Sequence, residues 1–140
     1  MGFKEKYGRY ALVTGASAGI GEAFARLLAR RGLDLILAAR REEKLNLIAE
    51  ELRKKNGIEV MVIPMDLTRE DSAEELFVKV GEFDVGLLVN NAGFGYYGKF
   101  VKQDTGKFLD MIKLNILTFT LLTRKFADHF IKKGRGGIIL

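Results

Sequence analysis

A glycine-rich segment near the amino terminus has the residue types and spacing most suited to chemistry. The sequence TGASAGIG, residues 14–21, follows the apolar run Tyr10–Thr14 and opens an amphipathic helical pattern. In that context Gly15 permits a tight exit from a strand, Gly19 lets a phosphate approach the backbone, and Gly21 lets a helix pack against the sheet. The free N–H groups of the helix start would then face the anion. The segment predicts a diphosphate site, and the alternative is a plain glycine-rich turn.

Two arginines follow the second apolar run of the chain. The segment Leu37-Ala38-Ala39-Arg40-Arg41 has no carboxylate at the place, about 20 residues beyond the glycines, where NAD-selective enzymes position one. A charge about 4 Å from a 2′-phosphate contributes roughly 1 to 4 kcal/mol, depending on solvent exposure. Cations are also disfavoured at a helix N-terminus unless an anion is near. The pair favours NADP(H) over NAD(H), and the alternative is that both are solvated charges.

Polar residues also follow the third and fourth apolar runs. Asp66 comes after Val60–Ile63, and Asn90-Asn91-Ala92-Gly93 comes directly after Val85–Val89. Because parallel strands end at one edge of a sheet, we expect both segments to face the glycine turn. The asparagines are suited to holding loops and a ribose, or form an Asx-type turn without a ligand. Asp66 either reaches an adenine or precedes a helix cap at Thr68.

An amide interrupts the apolar face of a long predicted helix. Asn115 shares that face, at helical spacing, with Phe108, Ile112, Phe119, Leu122 and Phe126. A buried amide must find hydrogen-bond partners, or it marks a point where the helix opens towards a polar site. From the residues alone we expect a satisfied core asparagine.

Alternating apolar runs and amphipathic stretches must position these residues. Strands are predicted at 10–14, 35–38, 60–63 and 85–89, with a fifth beginning at Gly136; helices are predicted up to Gly32, at 42–55, from a capping box at 68–71, and at about 104–132. Regular alternation predicts an α/β fold with a doubly wound, Rossmann-like parallel sheet of strand order 3-2-1-4-5, truncated after the fifth strand. Residues 1–140 are expected to form a single dinucleotide-binding domain.

Four motifs in this order and spacing resemble the short-chain dehydrogenase/reductase family. They are the glycine segment 14–21, Asp66-Leu67, Asn90-Asn91-Ala92-Gly93 and Asn115. The resemblance implies hydride transfer between NADP(H) and a small-molecule carbonyl or alcohol substrate. It also implies a homo-oligomer, because members of this family usually associate through the long helix.

The resemblance assigns a role to each motif. Phosphates and ribose would be bound by Ser17, Ala18, Gly19 and Ile20, and the 2′-phosphate by Arg40; Asp66 and Leu67 would flank the adenine, and Asn90, Ala92 and Gly93 would lie at the ribose and nicotinamide side. Asn115 would be the first member of the family's catalytic set Asn-Ser-Tyr-Lys and would order water in a proton relay.

The other members of that catalytic set have no match in the chain. Carbonyl reduction needs a proton donor beside the hydride acceptor, with its pKa lowered by a cation, and Tyr-x-x-x-Lys supplies it. The four tyrosines, Tyr7, Tyr10, Tyr96 and Tyr97, have no lysine four positions later, and the two serines are Ser17 and Ser72. We therefore expect the cofactor-binding portion of a longer enzyme, inactive alone. The alternative is a non-catalytic dinucleotide-binding module or assembly partner.

Composition excludes several other classes of protein. An apolar fraction of 48% and a net charge of +5 argue against disorder, and no apolar run approaches the roughly 18 residues of a membrane span. Zero cysteines and a single histidine, His129, argue against a metal site of the usual kinds. Interleaved Glu and Lys argue against a nucleic-acid partner. We expect a cytoplasmic protein that associates through the long helix or the exposed edge of the fifth strand.

Overall fold

A computed structural model describes residues 1–140 as a parallel sheet flanked by helices. The strands are β1 (Tyr10–Thr14), β2 (Asp34–Ala39), β3 (Val60–Pro64), β4 (Val85–Val89) and β5 (Gly137–Ile139). The helices are α1 (Phe3–Tyr7), α2 (Gly19–Arg30), α3 (Glu42–Asn56), α4 (Ser72–Lys79), α5 (Thr105–Ile112) and α6 (Phe119–Lys133). A π-helical segment, Lys113–Thr118, joins α5 to α6, and a 3₁₀ turn covers Phe100–Lys102. None of the helices has the length and apolar character needed to traverse a bilayer.

The five strands are ordered β3-β2-β1-β4-β5, and every pair is parallel. The predicted Rossmann-like sheet and its strand order are therefore confirmed. Every residue of β1, β2 and β4 is buried, as a parallel sheet covered on both faces requires. One apolar core lies between the sheet and α1, α2 and α3, and a second lies between the sheet and α4 and α6.

The predicted capping box at Thr68 is wrong. Helix α4 begins at Ser72, and its N-cap residue, Asp71, makes no side-chain capping bond. Thr68 instead donates its backbone N–H, at 3.0 Å, and its hydroxyl, at 2.8 Å, to Oδ1 of Asp66. This local turn competes with the helix for the same polar groups, and it delays the helix start by one turn.

The long predicted helix is not uniform, because the π-helical segment interrupts it. A π turn holds one more residue than an α turn and therefore shifts the buried face along the sequence. From the start of this segment to the end of α6, the buried residues are Leu114, Thr118, Leu122, Phe126 and Phe130. Ile112 is 47% exposed, and Asn115 is exposed rather than part of the core. The predicted stripe is thus correct only for its C-terminal part.

Candidate functional site

A cleft of about 630 Å³ opens at the carboxyl edge of the sheet. It lies where the strand order reverses between β1 and β4, which is the usual ligand-binding position in open α/β sheets. The predicted site residues that line it are Gly15, Ser17, Ala18, Gly19, Ile20, Arg40, Arg41, Asp66, Leu67, Ala92, Gly93 and Asn115. Gly21 and Asn90 lie outside the lining.

The glycine turn has the backbone geometry that its sequence predicts. Gly15 and Gly19 have φ angles of +66° and +56°, in the left-handed region that favours glycine. A Cβ atom at Gly21 would lie 2.3 Å from the carbonyl oxygen of Gly15, so helix α2 packs this closely only because residue 21 has no side chain. A Cβ atom at Gly19 would meet nothing within 4 Å. Gly21 therefore supports the turn, whereas Gly19 borders open space.

The start of α2 offers free hydrogen-bond donors to the cleft. Its N-cap residue is Ala18, which has no side-chain group to cap the first turn. The first N–H groups of a helix have no partner within the helix and lie at the positive end of its dipole. A diphosphate fits this position in charge and in hydrogen bonding.

Two guanidinium groups line the same cleft at the end of β2. Arg41 donates from Nη2 to the Ser17 hydroxyl at 3.2 Å, which connects the end of β2 to the glycine turn. Arg40 lines the cleft together with Asp66. This end of the cleft therefore holds two cations and one carboxylate.

Asp66 stays ionised in this environment. Burial opposes its ionisation, but the two hydrogen bonds from Thr68 favour the charged form. The positive charges of Arg40 and Arg69 act in the same direction, and together these groups hold the pKa of the Asp66 carboxyl below its usual value. The carboxylate is therefore an acceptor throughout the neutral pH range.

Thr14 and Asn91 connect the glycine turn to the loop after β4. The Thr14 hydroxyl oxygen accepts from the backbone N–H groups of Asn91 and Ala92, each at 3.0 Å. The Asn91 amide donates to the carbonyl oxygens of Thr14, at 3.2 Å, and Gly15, at 3.4 Å. Sequence analysis included Thr14 only as the first residue of the glycine segment and gave its hydroxyl no role; the available signal was a polar residue at the end of an otherwise apolar strand.

The side chain of Asn90 points away from the cleft. Its Nδ2 donates to the carbonyl oxygen of Phe119 at 2.9 Å and to the hydroxyl of Thr123 at 3.0 Å. Asn90 is buried and anchors the end of β4 to α6. Of the two adjacent asparagines, only Asn91 lines the cleft.

Asn115, in the π-helical segment, is hydrogen-bonded to the backbone of the loop after β4. Its Nδ2 donates to the carbonyl oxygen of Phe94 at 2.7 Å, and its Oδ1 accepts from the Phe94 N–H at 3.0 Å. The preceding residue, Gly93, comes so close that a Cβ atom there would lie 3.1 Å from Asn115 Oδ1. Asn115 thus marks an opening of the helix at a polar site, which was the less favoured alternative from sequence.

An aromatic loop follows Phe94, the last residue of this segment that lines the cleft. Tyr96 packs edge-on against the Phe94 ring, with centroids 5.3 Å apart, and Tyr97 is fully exposed. Neither tyrosine lines the cleft. Neither tyrosine is therefore positioned within the cleft to replace the proton donor that Tyr-x-x-x-Lys supplies in the family.

The strand order and the glycine turn at its switch point define a Rossmann-like α/β protein. The sequence comparison is more specific: the family described as short chain dehydrogenase matches residues 9–140. The chain belongs to the short-chain dehydrogenase/reductase family, as its four motifs indicated.

Named relatives in this family include hydroxysteroid dehydrogenases. The chain is 38% identical over 139 residues to a 7beta-hydroxysteroid dehydrogenase of Clostridium sardiniense, covering 99% of this chain and 53% of the relative. A solved structure of a 7beta-hydroxysteroid dehydrogenase superposes with a TM-score of 0.93 at 33% identity, covering 99% of this chain and 53% of the other. The chain spans about half the length of the curated relatives it matches.

Several solved neighbours contain bound NADP or NADPH. A short-chain dehydrogenase from Sphingobium yanoikuyae in complex with NADPH superposes with a TM-score of 0.87 at 37% identity. The match covers 93% of this chain and 51% of that chain. Binding of a nicotinamide dinucleotide by close neighbours agrees with the chemistry of the cleft.

Proposed function

We propose that this chain is the NADP(H)-binding portion of a short-chain oxidoreductase that transfers hydride between NADP(H) and a carbonyl or alcohol substrate. The observation that supports this most directly is that the uncapped start of α2 and the guanidinium groups of Arg40 and Arg41 line one cleft. The bound cofactor would supply the hydride. The chain's own residues would bind and orient it.

Each part of the cleft matches one part of NADP(H). We assign the phosphates and nearby ribose to Gly15, Ser17, Ala18, Gly19 and Ile20, with Gly21 as support; the 2′-phosphate to Arg40 and Arg41; the adenine to Asp66 and Leu67; and the nicotinamide side to Ala92 and Gly93, on the loop anchored by Asn90. Asn115 is the proposed catalytic residue of this portion, at the wall nearest the nicotinamide. Its hydrogen bonds to Phe94 would keep that wall in place.

Calorimetric titration with matched ligand pairs tests the cofactor assignment. NADPH and NADH differ only in the 2′-phosphate, and so do adenosine 2′,5′-bisphosphate and AMP. We expect the phosphorylated member of each pair to bind about tenfold more tightly, as one cationic contact of about 1.4 kcal/mol implies. Equal affinities within each pair would contradict the role of the arginines. No binding of any of the four would contradict the cofactor assignment.

We also propose that the 140 residues bind cofactor without turning over a substrate by themselves. No tyrosine in the chain has a lysine four positions later, so the proton donor of the family is not matched. The test is NADPH oxidation with a panel of ketones that includes a 7-ketosteroid, because a relative is named for that position. Activity that appears only on adding a second polypeptide with Tyr-x-x-x-Lys supports a divided enzyme. Cofactor binding that no such polypeptide converts to activity favours the alternative, a non-catalytic module.

Self-association is part of the same proposal. The long helical stretch exposes several large apolar side chains, namely Leu109, Ile112, Ile116 and Leu121. Edge strand β5 pairs only with β4. We expect sedimentation velocity at tens of micromolar to show a dimer or larger species that Ile116→Lys weakens, and a monomer alone would contradict this.

A cytoplasmic location also stays a prediction, which fractionation of expressing cells tests.

A further inference from the structure

The short π-helical segment holds two separate loops that border the cleft. Asn115 bonds the backbone of Phe94, in the loop after β4. Three residues later Thr118 bonds the backbone of Leu67, in the loop after β3. Phe94 and Leu67 both line the cleft, whereas Thr118 does not. One segment therefore sets the position of two cleft walls through two side chains.

Two hydroxyl groups converge on the Leu67 carbonyl oxygen. Thr118 donates from Oγ1 to this oxygen at 2.7 Å, and Ser72, the first residue of α4, donates from Oγ at 3.1 Å. The two hydroxyl oxygens are 3.4 Å apart. Thr118 is 2% exposed and Ser72 is fully buried, so water does not compete for these bonds. The shorter bond is the one from Thr118.

Few other hydrogen bonds fix this part of the loop, although the side chains of Met65 and Leu67 are buried in the apolar core beneath it. Met65 donates its backbone N–H to the Ala39 carbonyl at 3.0 Å, which continues the pairing of β3 with β2 by one residue. Beyond it, Asp66 and Thr68 bond each other rather than the rest of the protein. The Leu67 carbonyl is therefore the point at which the backbone in the middle of this loop is hydrogen-bonded to the helical layer.

We infer that Thr118 is a positioning residue for the adenosine end of the cofactor site. This inference rests on the proposed function, because it takes the wall at Asp66 and Leu67 to face the adenine. Thr118 would act without touching the ligand, by holding the Leu67 carbonyl against the π-helical segment. Loss of its hydroxyl would let the adenine wall move, while Asn115 would still hold the wall at Phe94.

The test compares three threonine variants by calorimetry. Thr118→Val removes the hydroxyl at nearly constant volume, and Thr118→Ser keeps it. Thr120→Val is the matched control, because Thr120 lies two residues later, in the first turn of α6, and is exposed. We expect Thr118→Val to raise the Kd for both NADPH and adenosine 2′,5′-bisphosphate about fivefold, as loss of one buried hydrogen bond implies. Thr118→Ser and Thr120→Val should bind both ligands like the unmodified chain.

Hydrogen exchange without ligand provides an independent readout. Thr118→Val should accelerate exchange of the Thr68 amide and leave the Phe94 amide unchanged. A general loss of stability would accelerate both, and that result would overturn the inference. Ser72→Ala, which removes the weaker bond, should shift ligand binding in the same direction by a smaller factor, and it replaces Thr118→Val if that variant does not fold.

The outcomes separate this inference from the proposed function. If the unmodified chain binds NADPH and both Thr118→Val and Ser72→Ala bind it equally well, the inference is wrong and the proposed function stands. A loss that falls mainly on reduced nicotinamide mononucleotide would also overturn it. If the unmodified chain binds neither NADPH nor the bisphosphate, the proposed function fails, and the inference fails with it.

Discussion

Charged groups at the amino edge of the sheet are paired within the chain, whereas several hydrogen-bond donors at the carboxyl edge have no partner. At the amino edge, Asp34 is 3% exposed and accepts from Arg9 Nε at 2.7 Å and from the Glu59 N–H at 2.9 Å. Nearby, Asp84 accepts from Arg135 at 2.8 Å and from Lys133. The carboxylates at this edge are paired within the chain.

The carboxyl edge leaves comparable groups available to a ligand. The start of α2 has no capping side chain. Neither Arg40 nor Arg41 forms a salt bridge with a carboxylate, and the Arg41 side chain bonds only the Ser17 hydroxyl. In a parallel sheet all the helix N-termini and the crevice between diverging loops lie at this edge. From this difference we expect changes at the amino edge to affect mainly stability and changes at the carboxyl edge to affect mainly the proposed cofactor binding.

The largest expected effect is that of Gly21→Ala. A Cβ atom would lie 2.3 Å from the Gly15 carbonyl oxygen, so the glycine turn must move. We expect a loss of about 3 kcal/mol in unfolding free energy, at the upper end for overpacking, together with loss of NADPH binding. Denaturant unfolding and calorimetry measure the two. Gly95→Ala is the control, since a Cβ atom there meets nothing within 4 Å, and equal behaviour of the two variants would contradict the packing argument.

Asp34→Asn should lower stability without affecting binding. The hydrogen bond from Arg9 and the N–H of Glu59 lower the pKa of Asp34 although burial opposes its ionisation. We expect a loss of about 2 kcal/mol at pH 7, because a buried charged partner of Arg9 is removed. NADPH affinity should stay unchanged. A weaker affinity would contradict the expectation that the amino edge affects stability and not binding.

The same carboxylate predicts a dependence of stability on pH. Because the pKa of Asp34 is lowered in the folded state, its stabilisation is complete above the unfolded value of about 3.9 and is lost as the pH falls through the folded value. Unfolding free energies at pH 7 and pH 3 should therefore differ less in Asp34→Asn than in the unmodified chain. An equal difference in both would contradict the assignment.

Arg40→Ala and Arg41→Ala should weaken NADPH binding with little effect on stability, whereas Asp34→Asn should lower stability with no effect on binding. We expect each to weaken NADPH binding about tenfold, leave NADH binding unchanged, and alter unfolding free energy by less than about 0.5 kcal/mol. Titration of both cofactors identifies which arginine contributes more. Arg124→Ala is the control, because Arg124 is an exposed arginine whose ion pair is with Asp128 on the same helix. A similar loss of NADH binding would show that the arginines do not recognise the 2′-phosphate.

The smallest expected effect concerns His129, which packs among the aromatic rings of Phe77, Phe126 and Phe130. Burial, followed by the charge of Lys133, lowers the pKa of its imidazole. The associated stability is present above the unfolded pKa of about 6.5 and is lost as the pH falls below it. His129→Phe should reduce the loss of unfolding free energy between pH 7 and pH 5, measured by urea denaturation. An unchanged loss would contradict burial as the cause.

The strands were predictable because burial on both faces gives each central strand a continuous apolar run. Tyr10–Thr14 and Val85–Val89 have the same bounds in the sequence prediction and in the structure. The start of α4 was not predictable, since Thr68 fits a capping box and an Asx-type turn equally well. Helix α1 was also missed, because five residues give too little periodicity to recognise.

The same division holds within the site. The glycine turn and the arginines after a strand could be recognised in the sequence. Both features depend only on residues that are close together in the chain. The bonds that Thr14, Asn91 and Thr118 make could not be recognised, even though Thr14 and Asn91 lie in recognised motifs, because the partners lie between 51 and 78 residues away along the chain. No local pattern signals such a bond.

The sequence by itself determined the class of fold, the position of the glycine turn and the sign of the charge beside it. Apolar periodicity and backbone preference are properties of neighbouring residues, so they can be recognised without coordinates. Only the tertiary structure decided that Asn115 faces the Phe94 backbone and that Asn90 faces α6. These orientations depend on which strand ends and helix turns are brought together, and a π-helical turn shifts the face on which each side chain emerges.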